Sequence, residues 1–312
     1  VLGNISEEDF NSLELEKATM RLVEEEEQAN LLKKIDPSSV KKVSGGSVAN
    51  STIAFAQLGA PSSSAGVVSG DLYGTFYKAE CEDLGVAFPV PPAESGATGV
   101  CVSLITPDAE RTMRTHLGVA TTLSDRHIND DIIKNSEWIF IEGYLLSNPT
   151  GGQQAVKKAV EIASRVGTKI AVTCSEAWVI QSFGDALNGV LEKASLVFAN
   201  EEESMALAGE SNVEKAFEKL SSKYGSIFVT HGPEGAFYSH NGKKGKVSAY
   251  KTDPIDLTGA GDMFAGGVLY GIAQNLDPEV FTKKSCYLAS KVIAQVGARL
   301  DVSLRELWKE AS

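Results

Sequence analysis

Residues 256–271 read DLTGAGDMFAGGVLYG, a turn of small residues followed by an acid and an apolar segment. Gly259, Ala260 and Gly261 have little or no side chain that could cover their backbone N–H groups. The apolar segment after them has helical spacing, so these N–H groups would lie at the positive end of a helix dipole. Such a helix start binds an anion without the help of lysine. The stretch therefore predicts an anion site at the beginning of a long helix.

Asp262 stands at this predicted anion site, where its charge would repel a resting phosphate. The acid is explained if it accepts the proton of a hydroxyl that attacks phosphorus while the amides hold the developing negative charge. The plainer alternative is a helix start with an acid that the helix dipole favours. Gly266-Gly267 favour the first alternative, because glycine inside a helix costs stability and indicates a close approach. We therefore expect a kinase that acts on a small alcohol.

Length, composition and charge limit the class of protein. The 312 residues suffice for one large α/β domain, and a hydrophobic content of 43% is ordinary for a globular protein. The net charge of −12 argues against a nucleic-acid partner. No apolar run approaches the length that crosses a bilayer, so we expect no membrane partner. Because the printed sequence begins with Val1 and not Met, we expect that residues precede it.

The cysteines are scattered along the chain and form no C-x-x-C pair; they are Cys81, Cys101, Cys174 and Cys286. In a chain of this length they are typical of buried thiols in a reducing compartment, so we expect a cytoplasmic protein. None of the four histidines has a metal-binding spacing, and we interpret each as structural.

Most of the chain after residue 137 alternates between strand-like and helix-like segments. The predicted strands cover residues 138–141, 169–174, 196–199 and 227–230. The predicted helices cover residues 149–166, 176–191, 201–208, 213–224, 259–274 and 278–296. A hairpin that turns at Asn241-Gly242 precedes the last two helices. This alternation predicts a three-layer α/β/α fold with a doubly wound, mainly parallel sheet.

The earlier part of the chain contains a different signal. Residues 98–106 and 111–116 are alternating runs joined by Pro107-Asp108-Ala109-Glu110, which is typical of a hairpin. We expect this hairpin and a strand at 18–23 to form a small separate sheet. A strand such as 98–106 would then offer an edge for a homodimer. Elsewhere in this part we predict helices at 25–34 and 71–84 and a buried strand at 63–68.

A second glycine turn, Gly45-Gly46-Ser47, precedes another apolar helix that ends at Gly59. Asn50 would lie near the first turns of this helix, where its amide can donate and accept hydrogen bonds at once. An ordinary helix cap is the alternative reading of Asn50. Polar residues such as Glu142 follow the predicted strands, at the sheet edge where ligands of such folds bind.

Two common phosphate-binding patterns are absent from the sequence. It contains no G-x-x-x-x-G-K-[ST], which excludes a P-loop enzyme, and no G-x-G-x-x-G after an early strand, which disfavours a nicotinamide dehydrogenase. Residues 45–49 lack the closing glycine of a nucleophile elbow, which disfavours a hydrolase.

The two glycine turns resemble the signatures of the ribokinase-like (PfkB) carbohydrate kinase family. Residues 256–262 with Gly266-Gly267 resemble its second signature, and residues 45–50 followed by Gly59 and Gly70 resemble its first.

Further segments extend this resemblance over most of the chain. Asn200 and Glu203 match the family's N-x-x-E element, and residues 229–235 match its nucleotide-binding strand and loop. All of these motifs occur in the family's order. The branch of adenosine kinase-like and sugar kinases is the most similar, on the basis of residues 111–113, 142–145 and 297–299.

The resemblance implies a ribokinase-like kinase that uses ATP and Mg²⁺ to phosphorylate a primary hydroxyl of a nucleoside or sugar. It implies that Asp262 is the general base and that Gly259, Ala260 and Gly261 form an anion hole for the transferring phosphoryl group. A monovalent cation such as K⁺ near this anion hole is a further implication. The implied single domain covers residues 1–312, with lid segments 10–35 and 95–118 that close over the substrate.

The resemblance also implies contacts to both ligands. The implied substrate-binding residues are Gly45, Gly46, Asn50, Arg111, Met113 and Glu142. The implied nucleotide-binding residues are Asn200, Thr230, Gly232, Gly235, Ser290 and Ile293. Glu203 would organise Mg²⁺ through water, since that ion keeps much of its hydration. A helix cap at Asn200 with Glu203 as its capping-box partner is an alternative that can coexist with these roles.

Two features depart from the family's pattern. Leu257 stands where the signature usually has a small or β-branched residue. Aligned through Ala18-Thr19-Met20, the printed sequence begins just after an Asp of the family's first strand that binds substrate hydroxyls. These departures motivate an alternative function, that of a non-catalytic relative which binds the ligand without consuming ATP.

Overall fold

A computed structural model of the chain describes residues 1–17, 19–108 and 110–311. The predicted strand start at Ala18, the turn residue Ala109 and the domain end at Ser312 lie outside the described residues. The strands are β1 (Leu2–Asn4), β2 (Met20–Leu22), β3 (Ser62–Ser63), β4 (Val86–Ala87), β5 (Thr98–Ile105), β6 (Arg111–Gly118), β7 (Trp138–Glu142), β8 (Lys169–Thr173), β9 (Leu196–Asn200), β10 (Ile227–Thr230), β11 (Ala236–His240) and β12 (Lys243–Val247). The helices are α1 (Glu7–Ser12), α2 (Glu25–Leu32), α3 (Ser47–Leu58), α4 (Leu72–Asp83), α5 (Asp130–Lys134), α6 (Gly152–Val166), α7 (Ala177–Leu191), α8 (Glu201–Ala208), α9 (Val213–Lys223), α10 (Ala260–Ala273), α11 (Pro278–Val292) and α12 (Leu304–Glu310).

The chain forms two compact units. Unit 1 consists of Val1–Ser44, Ala65–Asp83 and Phe88–Leu123, and unit 2 consists of Gly45–Ser64, Leu84–Ala87 and Ser124–Ser312. Both predicted lid segments, 10–35 and 95–118, belong to unit 1. The single domain 1–312 and the closing of the lid stay predictions.

Unit 2 is built on a six-stranded sheet in the order β12-β11-β10-β9-β8-β7. Strands β7 to β10 are parallel, and β11 and β12 continue the sheet in antiparallel pairing. On β10, Ile227 and Val229 pack in a core with α6, α7 and α9, whereas Phe228 between them packs in a second core with α10 and α11. Strands buried on both faces are expected where helices cover both sides of a sheet. The predicted three-layer α/β/α fold with a mainly parallel sheet is confirmed.

Unit 1 contains a four-stranded sheet in the order β1-β5-β6-β2. The predicted hairpin of β5 and β6 is confirmed, and β2 pairs in parallel with β6, as the expectation of a small separate sheet required. Val102 and Leu104 of β5 are fully buried, in a core that includes residues of α1 and α2. Because β5 lies between β1 and β6, the prediction that strand 98–106 offers a free edge is wrong.

Several short segments differ from the sequence prediction. Of the predicted strand 63–68, only Ser63 belongs to a strand, while Val67 and Val68 are buried in an irregular segment. Helices α1, α5 and α12 were not predicted; they have only 6, 5 and 7 residues, too few for a helical period to stand out.

The cysteine prediction is met at three positions. Cys81, Cys174 and Cys286 are buried, whereas Cys101 is half-buried. In the part of the chain that the structure describes, no helix combines the length and the apolar character needed to cross a membrane.

Candidate active site

Helix α10 begins at the glycine turn, with Gly259 as its N-cap and Asp262 in its first turn. Gly259 has a left-handed φ of 82°, and a Cβ at this position would lie 2.6 Å from the Cβ of Ala298. Glycine is therefore required here both by the backbone conformation and by the packing. A Cβ on Gly261 would meet nothing within 4 Å, so open space adjoins the start of the helix.

The N–H groups of this first turn are not equivalent. Ala260 N–H donates to the carbonyl of Leu257 at 3.3 Å. The N–H groups of Gly261 and Asp262 lie where no carbonyl of the same helix can accept them. These two amides are therefore better placed to bind an anion than that of Ala260, which the sequence had included with Gly259 and Gly261.

The carboxylate of Asp262 is held by two side chains of α3. Ser47 Oγ donates to Asp262 Oδ1 at 2.6 Å, and Asn50 Nδ2 donates to Oδ2 at 2.9 Å. Burial raises the pKa of Asp262 above its ordinary value, and the hydrogen bonds from Ser47 and Asn50 act in the opposite direction. A carboxylate with a raised pKa and a fixed orientation is suited to accept a proton.

Asn50 has an unused acceptor at this site. The residue is 9% exposed, and no hydrogen-bond donor to its Oδ1 is found among the described residues. A buried acceptor without a donor costs about 1–3 kcal/mol, so a ligand hydroxyl that donates to it would gain affinity. The amide thus has Nδ2 engaged by Asp262 and Oδ1 without a donor, and it does not act as the helix cap, which is Gly46. Its contact with a substrate stays a prediction.

Glu142, at the end of β7, is a second carboxylate near Asp262. Its Oε2 accepts the N–H of Val48, in the first turn of α3, at 3.3 Å. Burial raises the pKa of Glu142, the charge of Asp262 raises it further, and the Val48 N–H lowers it. The start of α3 thus contacts both carboxylates.

Asn200 and Glu203 form a capping box at the start of α8, as the structural alternative predicted. Asn200 Oδ1 accepts Glu203 N–H at 2.8 Å, and Glu203 Oε2 accepts Asn200 N–H at 3.2 Å. Glu203 Oε1 also accepts Asn200 Nδ2 at 2.6 Å. Glu203 is 4% exposed, and its pKa is raised to about 7. Burial is the main cause, the charges of Glu176 and Glu202 act in the same direction, and the hydrogen bond from Asn200 N–H acts against them.

A cavity of about 170 Å³ in unit 2 connects Asp262 with Asn200 and Glu203, whereas Asn50 and Glu142 lie outside its lining. Among its polar lining residues are Ser47, Asn200, Glu203, Thr230, Gly261 and Asp262. Its apolar wall includes Phe140, Phe198, Phe228 and Phe264. The predicted base Asp262 thus lines the same cavity as three residues that were predicted to bind the nucleotide or the metal, namely Asn200, Thr230 and Glu203.

Other predicted residues have positions outside this lining. Gly46 has a φ of 113° and forms the N-cap of α3 after the exposed Gly45. Gly232 and Gly235 both have positive φ in the loop after β10, and a Cβ on Gly235 would lie 1.9 Å from the carbonyl oxygen of Val247. These glycines shape two turns, and their contacts with ligands stay predictions.

Of four further predicted residues, Ser290 lies on α11, Ile293 is the C-cap of α11, and Arg111 and Met113 lie in unit 1. Ser290 is buried, and its hydroxyl donates to the carbonyl of Tyr287 inside α11 at 2.7 Å. The carbonyl of Ile293 accepts the N–H of Ile255 at 2.7 Å. Arg111 and Met113 are half-buried residues of β6 in unit 1, and their substrate contacts stay predictions.

Sequence reasoning missed two features of the site. Ser47 was quoted only as part of a glycine turn, although a hydroxyl at a helix start was a signal that could have been weighed. Ser175, which also lines the cavity, has a φ of 71°, a strained conformation that residue type alone does not reveal.

We predict that Glu203→Gln removes a loss of stability that the wild type undergoes as the pH rises from 5 to 8. In the unfolded chain a glutamate has a pKa of about 4.3, so between that value and about 7 only the folded state holds the proton of Glu203. The wild-type free energy of unfolding therefore falls as the pH rises through this range. Without magnesium, the stability of the variant relative to the wild type should therefore increase by roughly 2–3 kcal/mol between pH 5 and pH 8, because glutamine does not ionise.

Urea unfolding at pH 5 and pH 8 measures this difference. Glu202→Gln, at the exposed neighbouring position, is the matched control and should follow the wild type. A Glu203→Gln variant whose stability changes with pH in parallel with the wild type would contradict the raised pKa.

Comparisons with known proteins agree with the geometry. Residues 16–304 match the family profile described as pfkB family carbohydrate kinase. The chain is 28% identical to adenosine kinase of Dictyostelium discoideum over 257 residues, which are 76% of this chain and 74% of that protein. It is 26% identical to 5-dehydro-2-deoxygluconokinase of Bacillus licheniformis over 266 residues, 81% and 82% of the two chains. The crystal structure of adenosine kinase from Sinorhizobium meliloti has a TM-score of 0.88 at 27% identity and covers 100% of this chain and 95% of its own.

Proposed function

The chain belongs to the PfkB family of carbohydrate kinases, and we propose that Asp262 is the general base with which it phosphorylates a nucleoside or sugar. The donor is the γ-phosphoryl group of ATP and the acceptor is a primary hydroxyl. The observation that supports this most strongly is the carboxylate of Asp262, fixed by Ser47 and Asn50 beside the free amides of Gly261 and Asp262. The carboxylate of Asp262 can thus accept a proton beside backbone amides that can bind the transferring phosphoryl group.

The chemistry of the first turn of α10 follows from this arrangement. Asp262 accepts the proton of the attacking hydroxyl, so that a neutral alcohol becomes an alkoxide-like nucleophile only as the new bond forms. The amides of Gly261 and Asp262 donate to the charge that develops on the transferring group. In phosphoryl transfer, positioning and charge stabilisation supply most of the acceleration.

Kinases of this family use ATP, generally with Mg²⁺. The residues of the cavity fit a hydrated ion, since Glu203 has both oxygens engaged by Asn200 and would reach the metal through water. A bound Mg²⁺ neutralises charge on the phosphates. We propose nucleotide contacts for five residues: Thr230, Gly232, Gly235, Ser290 and Ile293. The Michaelis constant for ATP, measured for alanine variants of Thr230, Ser290 and Ile293, tests the contacts at the non-glycine positions.

The acceptor is proposed to be a polyol. The unpartnered Oδ1 of Asn50 can accept from one hydroxyl while Asp262 accepts from another, and Glu142 lies near Asp262. Both a ribose-containing nucleoside and a free sugar present such hydroxyls. The likeness to adenosine kinase and to 5-dehydro-2-deoxygluconokinase supports these two substrate classes equally.

A coupled assay of ADP release tests the proposed function. Full-length protein with Mg²⁺ and ATP is tested against adenosine, ribose, fructose and related alcohols, and we expect at least one to stimulate ADP release. Binding of one of these compounds without any ADP release across the panel would favour the non-catalytic alternative. Leu257, one reason for that alternative, is 70% exposed and therefore causes no crowding at the turn.

Three further assignments are part of the proposal. The first is a monovalent cation near Asp256, a buried carboxylate before the glycine turn. If this cation is K⁺, we expect faster turnover in K⁺ than in tetramethylammonium. A homodimer through the unit 1 sheet would use the edge of β2, where Met20 and Leu22 are 54% and 62% exposed, and light scattering tests it. The buried thiols support a cytoplasmic location, which fluorescence microscopy of the tagged protein tests.

A further inference from the structure

Ser47 makes the hydrogen bond to Asp262 that an acceptor alcohol would have to make. Its Oγ donates to Asp262 Oδ1 at 2.6 Å. A hydroxyl that transfers its proton to a general base must come within about 2.6–3.2 Å of it. The side chain of Ser47 therefore stands where the proposed reaction requires a substrate hydroxyl.

The hydroxyl of Ser47 is not needed to cap a helix. Ser47 is the first residue of α3, and the N-cap position before it is Gly46, so the serine does not cap its own helix. Its side chain is half-buried and lines the same cavity as Gly261 and Asp262. A ligand that enters the cavity can therefore reach both partners of the hydrogen bond.

We propose that Ser47 is a positioning residue that keeps water off the base. Its hydroxyl holds Asp262 Oδ1 until the acceptor alcohol takes its place, so that ATP is not hydrolysed while the cavity lacks an acceptor. The inference rests on the proposed kinase function and assigns to this chain a control that the phosphoryl transfer itself does not require. A base with an open acceptor would otherwise activate any water molecule that reached it.

The consequence of removing the hydroxyl follows from its size. Ser47→Ala leaves a space of about one oxygen atom at hydrogen-bond distance from Asp262, which a water molecule can fill. As the oxygen of this water forms a bond to the γ-phosphorus, its proton passes to Asp262 and the bond between the γ-phosphorus and the bridging oxygen of ADP breaks. The products are ADP and inorganic phosphate, and the variant gains ATP hydrolysis that does not depend on an alcohol.

The experiment compares ADP release without and with an accepted alcohol in full-length protein. We expect Ser47→Ala to raise the ratio of the two rates at least about tenfold. Ser47→Thr retains a hydroxyl and should keep the ratio near that of the wild type. Ser51→Ala is the matched control, because Ser51 lines the same cavity but donates to the carbonyl of Ser47 at 3.3 Å. Its ratio should not change.

The outcomes separate this inference from the proposed function. An unchanged ratio in Ser47→Ala, with phosphate transfer by the wild type intact, overturns the inference alone. An equal rise in Ser51→Ala also overturns it, because general loosening of α3 would then be the cause. A wild type that releases no ADP with any alcohol overturns both. Circular dichroism checks that each variant is folded, and Ser47→Gly, which lacks the same oxygen, should raise the ratio as Ser47→Ala does.

Discussion

Asp262→Asn should lower kcat by about 10²- to 10⁴-fold without unfolding the chain, because general base catalysis typically contributes that much. Asparagine is nearly isosteric and can still accept a hydrogen bond from Ser47 or Asn50, but it cannot take the proton of the acceptor. The measurement is steady-state ADP release with an accepted alcohol, together with the unfolding midpoint in urea.

The control for this variant is Asp253→Asn, an exposed acid in the loop before the glycine turn, which should keep wild-type activity. If turnover of Asp262→Asn falls by less than about tenfold, equivalent to roughly 1.4 kcal/mol of barrier, the general-base role is wrong. The amides and the metal would then supply the catalysis without a proton acceptor on the chain.

Gly259→Ala should destabilise the chain by roughly 2–5 kcal/mol. A left-handed conformation costs a residue with a Cβ about 1–2 kcal/mol, and overpacking against Ala298 adds about 1–3 kcal/mol. Urea unfolding measures the loss, and the displaced helix start should also reduce turnover.

Gly261→Ala is the matched control for stability. It lies two residues later in the same helix, its added Cβ meets nothing within 4 Å, and alanine favours a helix over glycine by about 1 kcal/mol. It should therefore be as stable as the wild type or slightly more stable. Equal stability of Gly259→Ala and the wild type would refute the proposed packing of the turn.

The sequence was sufficient for the parts of the fold that depend on local patterns. The alternation of helices with strands such as Ile227–Thr230 predicted the mainly parallel sheet, and Asn241-Gly242 predicted a turn in which both residues have positive φ. The glycine turn predicted the start of α10 to within one residue. These features depend on the chemistry of a few adjacent residues, which a sequence displays directly.

The contacts that hold the site together could not be predicted in this way. Ser47 and Asp262 are 215 residues apart, and each also had an adequate local explanation, as part of a helix start. The assignment of Asn50 to the substrate did not foresee that its Nδ2 donates to Asp262 while its Oδ1 has no donor among the described residues. The local sequence of α3 and of α10 does not indicate that the starts of these two helices face each other.

Strand order was also beyond the sequence. The edge predicted for strand 98–106 is taken by β1, a strand of three residues that is too short to give an alternating pattern. The segment near Val67 is buried but irregular, and burial alone made it look like a strand. In both cases pairing with a distant segment decided the outcome.

The most direct measurement of the central claim is a crystal structure of the chain with Mg²⁺, a non-hydrolysable ATP analogue and an accepted alcohol. The proposed mechanism predicts the acceptor oxygen about 2.6–3.2 Å from a carboxylate oxygen of Asp262. It also predicts oxygens of the terminal phosphate about 2.7–3.1 Å from the N–H groups of Gly261 and Asp262. An alcohol directed away from Asp262, or a terminal phosphate bound away from the start of α10, would contradict it.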